Sequence, residues 1–455
     1  MVLSRAAHGN AWSDAGGAGI AIGILQYCGT YEQPPVSRLL AGGILWALLG
    51  CLSSPLQASD RPVAPGAGKL QQAIDQSGPG DRLLLEAGRY AGRIVIDKPL
   101  ELTGSASSII DGGGEGRVIT IAAPDVVVRG VTVRNSGTSL ASEDSGIFVT
   151  PEGDRALIDG NRLKQNLIGI YLKGPEDAVV RGNVVVGSTR PHVNERGNGV
   201  QLWNTPGSVV EDNDIRFGRD GIFVTTSRNN VFRGNRLHDL RFAIHYMYTH
   251  DSEVSFNLSS GNHVGYALMY SENLAVTGNV SEGDRDRGLF FNYTNHSDIR
   301  ANRVLGGAEK CVFIYNANVN RIHENYFSGC QIGIHFTAGS ERNQVYGNAF
   351  VNNRTQVKYV GTRYIEWSFE GRGNYWSDNP AFDLDKDGIA DQPYRPNDLV
   401  DQIVWRHPLA KLLLNSPAAQ VLRWAQSEFP ALYPGGVSDS SPLMAIPDSP
   451  VRSDG

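Results

Sequence analysis

The chain has 455 residues, of which 41% are hydrophobic and 19% are charged, so most of it can bury enough apolar surface to fold. The formal net charge of -6 offers no basic face to a phosphate backbone, which argues against nucleic acid as a partner. The 53 glycines favour a fold rich in tight turns over one built from long helices.

The N-terminal segment, residues 1–58, is predicted to be a pre-sequence and signal peptide that is removed. Residues 37–40 (SRLL) provide a basic start, residues 41–49 an apolar run, and Ala58 a small residue for cleavage before Ser59. A lipoprotein signal acylated at Cys51 is the alternative, and the stretch before residue 36 is interpreted as a start codon assigned too early. The mature protein is therefore expected to be exported.

An asparagine recurs at nearly constant spacing through the middle of the chain. The successive intervals are 22, 30, 22, 22, 22, 23, 23, 23 and 26 residues. An apolar residue, such as Ile158, Val254 or Val345, stands three positions before each of the first nine. The asparagines are Asn161, Asn183, Asn213, Asn235, Asn257, Asn279, Asn302, Asn325, Asn348 and Asn374.

This period predicts an all-β fold, a single right-handed parallel β-helix of the pectate-lyase-like type with about 22–23 residues per coil. Stacked coils share one apolar core, and their strands pair at about 4.8 Å. The asparagine side chains are expected to form a hydrogen-bonded ladder along the rod. Its predicted members include Asn235, Asn257, Asn279, Asn302, Asn325 and Asn348.

The rod is predicted to span residues 59–380, with an amphipathic stretch at 66–77 covering its N-terminal end. The 30-residue interval leaves a loop at 188–196 that projects from the solenoid. After the rod, residues 381–398 are predicted to form an Asp-rich loop and 399–429 short helices, divided at Pro417. The tail, 430–455, is rich in Pro, Ser and Asp and is predicted to be flexible.

Two cysteines, Cys311 and Cys330, fall in neighbouring repeats at different positions within the repeat. Their Cα atoms are therefore expected to be too far apart for a disulfide, and both thiols are predicted to be free and buried.

Met247 and Met269 each lie ten residues before a ladder asparagine, so they are predicted to stack in adjacent coils. His245 precedes Met247 by two residues and leaves the same face of the strand, and His250 belongs to the following turn. Thioethers with imidazole suit Cu(I), so these four residues form a candidate copper site. The alternative is that the methionines fill gaps in the core.

The sequence Asp383-Leu384-Asp385-Lys386-Asp387-Gly388-Ile389-Ala390-Asp391 matches the first nine positions of a calcium loop. Tyr394 replaces the closing Glu, so this is not a complete EF-hand. A structural Ca²⁺ bound by Asp383, Asp385, Asp387 and Asp391 is predicted, with a solvated acidic turn as the alternative.

Because many secreted β-helices cut polysaccharides, a lyase or epimerase and a glycan-binding protein are the competing functions. Asp251, Glu253, Asp284, Asp286 and Arg287 lie in one stretch of coils, but no pair of them is marked as a general acid and base. An exposed aromatic strip of Tyr248, Tyr270 and Tyr293 would favour either glycan function. The chain is predicted not to be an enzyme.

The C-terminal third resembles the NosD family. The resemblance is carried by Gly373-Asn374-Tyr375-Trp376-Ser377-Asp378, by the Asp-rich loop followed by Pro393-Tyr394-Arg395-Pro396-Asn397-Asp398, and by Lys411-Leu412-Leu413-Leu414-Asn415-Ser416-Pro417-Ala418. Residues 422–425, 429–430 and 441–444 also fit, and the coils match more loosely, so the likeness covers about residues 62–444.

The resemblance implies a periplasmic role without catalysis. NosD-type proteins act with the permease and ATPase of an ABC transporter and with a membrane-anchored copper chaperone to build the copper-sulfur centre of nitrous oxide reductase. It implies that the rod is a docking scaffold seated on the permease by its C-terminal helices, and that the Met and His positions receive or pass Cu(I). Whether copper, sulfur or only mechanical force is transmitted is left open.

Overall fold

The computed structural model describes residues 59–190, 192–414, 416–429 and 435–447. Within this part, the chain winds repeatedly through three parallel sheets, here called A, B and C, in that order in each coil. The predicted parallel β-helix is therefore confirmed. The predicted signal peptide and its cleavage site lie outside the described residues.

Within each sheet, a strand pairs with the equivalent strands one coil before and one coil after, and the first and last strands pair on one side only. Sheet A contains Asp60–Val63, Arg82–Leu85, Glu101–Thr103, Val127–Arg129, Leu157–Asp159, Val179–Arg181, Val209–Glu211, Val231–Arg233, Glu253–Ser255, Ala275–Thr277, Asp298–Arg300, Arg321–His323 and Gln344–Tyr346. Sheet B contains Gly88–Ala91, Ser108–Asp111, Thr132–Arg134, Arg162–Lys164, Val184–Val186, Asp214–Arg216, Arg236–His238, Leu258–Ser260, Val280–Glu282, Arg303–Leu305, Tyr326–Ser328, Ala349–Val351 and Tyr375–Trp376. Sheet C contains Ile94–Ile96, Ile119–Ile121, Ser145–Val149, Ile168–Lys173, Val200–Trp203, Asp220–Arg228, Phe242–His250, Val264–Met269, Arg287–Asn292, Lys310–Tyr315, Ile332–Thr337 and Thr355–Val360.

The core is a set of apolar columns that run along the rod. In sheet A the middle residue of each three-residue strand points inward, as Val180, Val210 and Phe232 do in three successive coils. All three are fully buried. Each such side chain contributes about 1.5–3 kcal/mol relative to exposure, and a solitary coil could not bury them.

The asparagine column stands at the corner between sheets A and B as a hydrogen-bonded ladder. The Asn257 side chain donates to Asn279 Oδ1 at 3.0 Å and to the Phe232 carbonyl at 2.9 Å, while its Oδ1 accepts from the Asn235 backbone N–H at 3.0 Å. The same pattern links the ladder from Asn161 to Asn374. Each amide therefore satisfies backbone groups of the coil before it, which would otherwise be unpaired in the corner.

The N-terminal end of the core is covered by a short helix, Lys69–Asp75, which buries Leu70 and Ile74. This is the covering element predicted for residues 66–77, and it keeps water from the first coil. The loop at 188–196 contains a 3-10 turn, Val193–Glu195.

Cys311 and Cys330 form a disulfide, so the prediction of free thiols is wrong. Cys311 is the second residue of the strand Lys310–Tyr315 in sheet C, and Cys330 lies in the turn that leads to the next strand of that sheet. Their sequence separation of 19 residues is nearly one coil, which leaves their Cα atoms only 5.7 Å apart. Both residues are buried in the core. Their different positions in the repeat do not separate them, because the B–C corner is a sharp turn.

The tail is ordered over residues 435–447, so the prediction of a flexible tail is wrong for this stretch. The strand Gly436–Ser438 pairs with Tyr364–Glu366, and Val437 enters the core. Asp439 then ends the asparagine ladder: its Oδ2 accepts from the Asn374 backbone N–H at 2.7 Å and from Trp376 Nε1 at 2.8 Å. The returning tail thereby closes the C-terminal end of the core.

This closure is expected to weaken as pH rises from about 4 to 6. Burial raises the pKa of Asp439 to about 6, although the N–H donors around it favour its charge. Because the folded-state pKa is above that of the unfolded chain, this stabilisation is complete below pH 4 and is lost as pH rises through 6. The free energy of local opening, measured by hydrogen exchange of residues 436–438, should fall with pH over this window with a slope approaching one proton.

Asp439→Asn should flatten that slope. Asp401→Asn is the control, because burial also raises the pKa of Asp401 to about 6 but its side chain lies in a separate helix. A slope that persists in Asp439→Asn and disappears in Asp401→Asn would show that Asp401, and not Asp439, is the group that titrates.

The region 399–429 contains two α-helices, Leu399–Arg406 and Pro417–Glu428, joined by a 3-10 helix, Pro408–Leu413. Asp398 caps the first helix through a capping box with Asp401, and its carboxylate accepts from Arg423 at 2.8 Å. Pro417 stands at the start of the last helix, where its missing N–H costs nothing.

Candidate functional site

The outer face of sheet C carries the side chains predicted to bind copper. In the strand Phe242–His250, Ile244 and Tyr246 point into the core. His245 and Met247 alternate with them and therefore lie on the outer face of the sheet.

His245 is held by a buried polar network. Its Nδ1 lies 3.0 Å from Asp220 Oδ2, and the Arg241 guanidinium donates to both oxygens of that carboxylate at 2.8 and 2.6 Å. Burial opposes a charge there, but the hydrogen bonds from His245 and Arg241 hold the pKa of Asp220 below its ordinary value. The rings of Phe223 and Phe242, 5.0 and 4.7 Å away, cover the imidazole. Since Nδ1 is engaged, Nε2 is the nitrogen left for a metal, as is usual for histidine ligands.

Met247 and Met269 are aligned partners on adjacent strands of sheet C. Both are half-buried, and Met269 packs against an outer cluster of Val264, Ala267 and Phe290 rather than inside the coil core. Since neighbouring strands are about 4.8 Å apart, two thioethers and one imidazole occupy one patch of the outer face. We call His245, Met247 and Met269 the Met–His patch.

The structure does not bring His250, the fourth predicted ligand, to the Met–His patch. The backbone bends at Tyr248, which has a φ of 54°. His250 follows the bend, and its Nδ1 lies 3.9 Å from the carboxylate of Glu272. The alternation that relates His245 to Met247 therefore stops before His250.

The predicted aromatic strip is present but is stacked on itself. Tyr248 and Tyr270 have ring centroids 5.1 Å apart, and Tyr270 and Tyr293 5.2 Å apart, with nearly parallel planes. The rings thus cover one another's faces along the rod. A sugar platform presents its ring faces to solvent, so this arrangement does not favour the glycan functions.

Two of the carboxylates considered for catalysis, Asp284 and Asp286, make contacts within the protein. Asp284 is 1% exposed and accepts hydrogen bonds from Ser259, Ser281 and the Asn262 backbone inside the B–C corner. Burial raises its pKa. Asp286 lies 3.3 Å from the Arg287 guanidinium. A carboxylate as enclosed as Asp284 cannot reach a polysaccharide on the surface.

The Asp-rich loop gathers three of its four predicted ligands. Carboxylate oxygens of Asp383, Asp385 and Asp391 lie within 4.8 Å of one another. The backbone N–H of Asp387 favours the charge of Asp385, but the neighbouring carboxylates of Asp387 and Asp383 raise the pKa of Asp385 overall. A cation between them would relieve this repulsion. Asp387 is not in the group, and its side chain accepts from the Ile389 backbone N–H.

The C-terminal helices expose an apolar surface. Leu409, Leu412 and Trp424 are 84%, 87% and 62% exposed. Such residues are normally buried, so the surface is suited to a contact with another molecule. No helix among the described residues has the length and apolar character needed to cross a bilayer.

Comparison with known proteins decides the family. The family model described as "Periplasmic copper-binding protein (NosD)" matches residues 187–380, which include the Met–His patch. A Pseudomonas aeruginosa protein named "Probable ABC transporter binding protein NosD" is 44% identical over 429 residues, covering 91% of this chain and 99% of its own length. The chain belongs to the NosD family. A second NosD relative, from Stutzerimonas stutzeri, is 41% identical over 381 residues, covering 81% of this chain and 87% of its own length.

Solved structures resemble this NosD chain more distantly. The family 28 exopolygalacturonase of Yersinia enterocolitica is 12% identical, with a TM-score of 0.46 over 66% of this chain and 78% of its own length. The Streptococcus pneumoniae surface adhesin PfbA is 11% identical, with a TM-score of 0.46 over 64% of this chain and 94% of its own.

Proposed function

We propose that this protein is a non-catalytic periplasmic adaptor of an ABC transporter, and that it helps to deliver copper for assembly of the copper-sulfur centre of nitrous oxide reductase. The observation that carries the proposal is the Met–His patch, in which two aligned thioethers stand beside an imidazole anchored by Asp220. The names of the NosD relatives support a transporter partner, and the family description supports copper in the periplasm.

The donor set fits transient binding of Cu(I). Thioethers and imidazole are the soft and intermediate ligands that Cu(I) accepts at low coordination number. Asp220 fixes the orientation of the His245 ring through Nδ1, which leaves Nε2 to bind the ion. The Asp220 carboxylate is not itself a ligand, so it adds no charge to the ligand set. His245 is buried, but both methionines are half-buried on the outer face of the rod, so a membrane-anchored copper chaperone could present its ion to the thioethers and nitrous oxide reductase could remove it.

The C-terminal helices are proposed to seat the rod on the transporter permease, whose ATPase lies across the membrane. Their exposed Leu409, Leu412 and Trp424 supply an apolar contact. The pre-sequence, residues 1–58, is proposed to direct export. The alternative form of this proposal is that the adaptor delivers sulfur instead of copper.

Cu(I) binding is expected to depend on both methionines. Removing a residue that only hydrogen-bonds to a metal ligand costs about 10–100-fold in metal affinity. The two methionines are proposed as direct ligands, so Met247→Ala with Met269→Ala should weaken Cu(I) binding by at least about 100-fold. The measurement is an anaerobic titration of the mature protein, Ser59 to Gly455, against a chromogenic Cu(I) chelator.

Met444→Ala is the matched control, because it removes the remaining methionine of the mature chain from outside the patch. It should leave the affinity unchanged. A wild-type protein that fails to compete with the chelator, or a Met444→Ala protein as weak as the double variant, would exclude the Met–His patch as the copper site.

We also propose that the Asp-rich loop binds a structural Ca²⁺ through Asp383, Asp385 and Asp391. An ion that binds only the folded chain stabilises it by about 2.7 kcal/mol at a concentration of 100 Kd. Thermal unfolding with and without Ca²⁺ should show this gain in the wild type and lose it in Asp383→Asn. Asp387→Asn should keep the gain, since Asp387 is outside the group; equal responses of the two variants would rule the site out.

A further inference from the structure

The aromatic strip of Tyr248, Tyr270 and Tyr293 borders the Met–His patch at the corner between sheets C and A. Tyr248 directly follows Met247, and Tyr270 directly follows Met269. The register of sheet C aligns the two methionines, so one tyrosine stands beside each of them in successive coils. The strip and the patch therefore form one continuous surface along the rod.

The corner does not need tyrosine at this position. The equivalent residues in the three preceding coils are Gly174, Asn204 and Thr226, and Asn316 follows in the next coil. The backbone is left-handed in all of these coils, with φ between 51° and 54° at the tyrosines. This conformation favours glycine and asparagine and is unfavourable for a bulky side chain. Since four other coils make the corner without tyrosine, the three side chains are best explained by the surface that they present.

The aromatic strip presents ring edges and hydroxyl groups to solvent. Tyr248 and Tyr293 are 49% and 42% exposed, while stacking covers the faces between the rings. Each ring is held by its neighbour, so a contact immobilises little additional side-chain freedom. Rigid tyrosines combine apolar area with a polar tip and are typical anchors of protein–protein interfaces. The strip therefore fits a protein partner.

The position of the strip indicates which partner it fits. A protein that takes Cu(I) from Met247 and Met269 must bring its own ligands to the ion, so its surface covers the residues beside the Met–His patch. Of the two proposed exchange partners, the chaperone is kept near the transporter by its membrane anchor, so the acceptor is the one that depends on a surface contact. We propose that the aromatic strip is the docking surface for the copper acceptor, nitrous oxide reductase. This inference rests on the proposed function.

The test is binding of nitrous oxide reductase that lacks its copper-sulfur centre to the immobilised mature protein, measured by biolayer interferometry. Tyr248→Asn with Tyr270→Asn should weaken binding by at least about tenfold, because it removes two interface anchors. Asparagine suits the left-handed backbone, as Asn204 does in an earlier coil, so the variant should fold normally. Circular dichroism verifies its fold.

Phe256→Asn is the matched control. Phe256 is also an aromatic residue in the left-handed conformation, with a φ of 53°, and it is 58% exposed, but it lies at the corner between sheets A and B. This variant should bind the reductase like the wild type. Absence of binding by the wild type, undiminished binding by the tyrosine variant, or an equal loss in Phe256→Asn would overturn the proposal.

The Cu(I) titration separates this inference from the proposed function. The tyrosine variant keeps both methionines, so it should bind Cu(I) with the affinity of the wild type. A wild type that binds Cu(I) but docks the reductase equally well without the tyrosines would reject only the docking surface. A wild type that docks the reductase through the tyrosines but does not bind Cu(I) would reject the copper role.

Discussion

Replacing Asn279 with alanine is expected to destabilise the middle of the rod by about 2–4 kcal/mol. The Asn279 Oδ1 atom accepts from both the backbone and the side chain of Asn257, and its Nδ2 donates to the Val254 carbonyl and to Asn302. Truncation leaves the Asn257 backbone N–H and the Val254 carbonyl without this partner in a buried corner, at about 1–3 kcal/mol for each unsatisfied group. Hydrogen exchange of the strands Glu253–Ser255 and Ala275–Thr277 measures the loss locally.

Asn273→Gly is the control for this effect, since Asn273 has a φ of 58° that glycine, unlike alanine, adopts without strain. Asn273 is exposed and donates a single side-chain hydrogen bond, to Asp251 at 2.9 Å. Its replacement should change stability by less than about 0.5 kcal/mol. If Asn279→Ala were as harmless as Asn273→Gly, the ladder would not be a principal source of stability.

Removing the disulfide, with Cys311→Ala and Cys330→Ala together, is expected to cost about 3 kcal/mol. The bond closes a loop with a sequence separation of 19 residues, and a loop of about 15 residues is worth about 3 kcal/mol through restriction of the unfolded chain. Because coils contact mainly their neighbours, the loss should be concentrated in Lys310–Tyr315 and Ile332–Thr337. Hydrogen exchange of these strands is the measurement.

Cys311→Ala alone provides the control for the disulfide, since it breaks the link while retaining Cys330. It should lose nearly as much stability as the double variant. A native protein in which alkylation finds two free thiols without a reducing agent would contradict the assignment of the bond.

Much of the fold could be predicted because two columns repeat in register. The asparagines and the inward apolar residues, such as Val210 and Phe232, fix both the period and the inward face of each coil. The disulfide could not be predicted in this way, because the repeat reports position along a coil and not the sharpness of its corners. The role of Asp439 was missed because it reaches the ladder from outside the repeat, across 65 residues from Asn374.

The candidate site was predictable only where strand alternation applies. His245 and Met247 share a face for that reason, and Met269 follows by register. Asp220 was overlooked, although it is aligned with Phe242, at the start of the strand that contains His245, and this register was a usable signal. The grouping of His250 with Glu272 depends on a left-handed bend at Tyr248 that the sequence pattern does not encode.

Transfer of copper through the Met–His patch to nitrous oxide reductase can be measured as the copper content of the reductase. The gene is deleted in the bacterium that encodes this protein, and either the wild type or the Met247→Ala, Met269→Ala variant is restored at equal periplasmic abundance. We expect the wild type to restore a fully loaded copper-sulfur centre and the variant to leave it deficient in copper. A fully loaded centre with the variant would show that copper delivery does not need the Met–His patch.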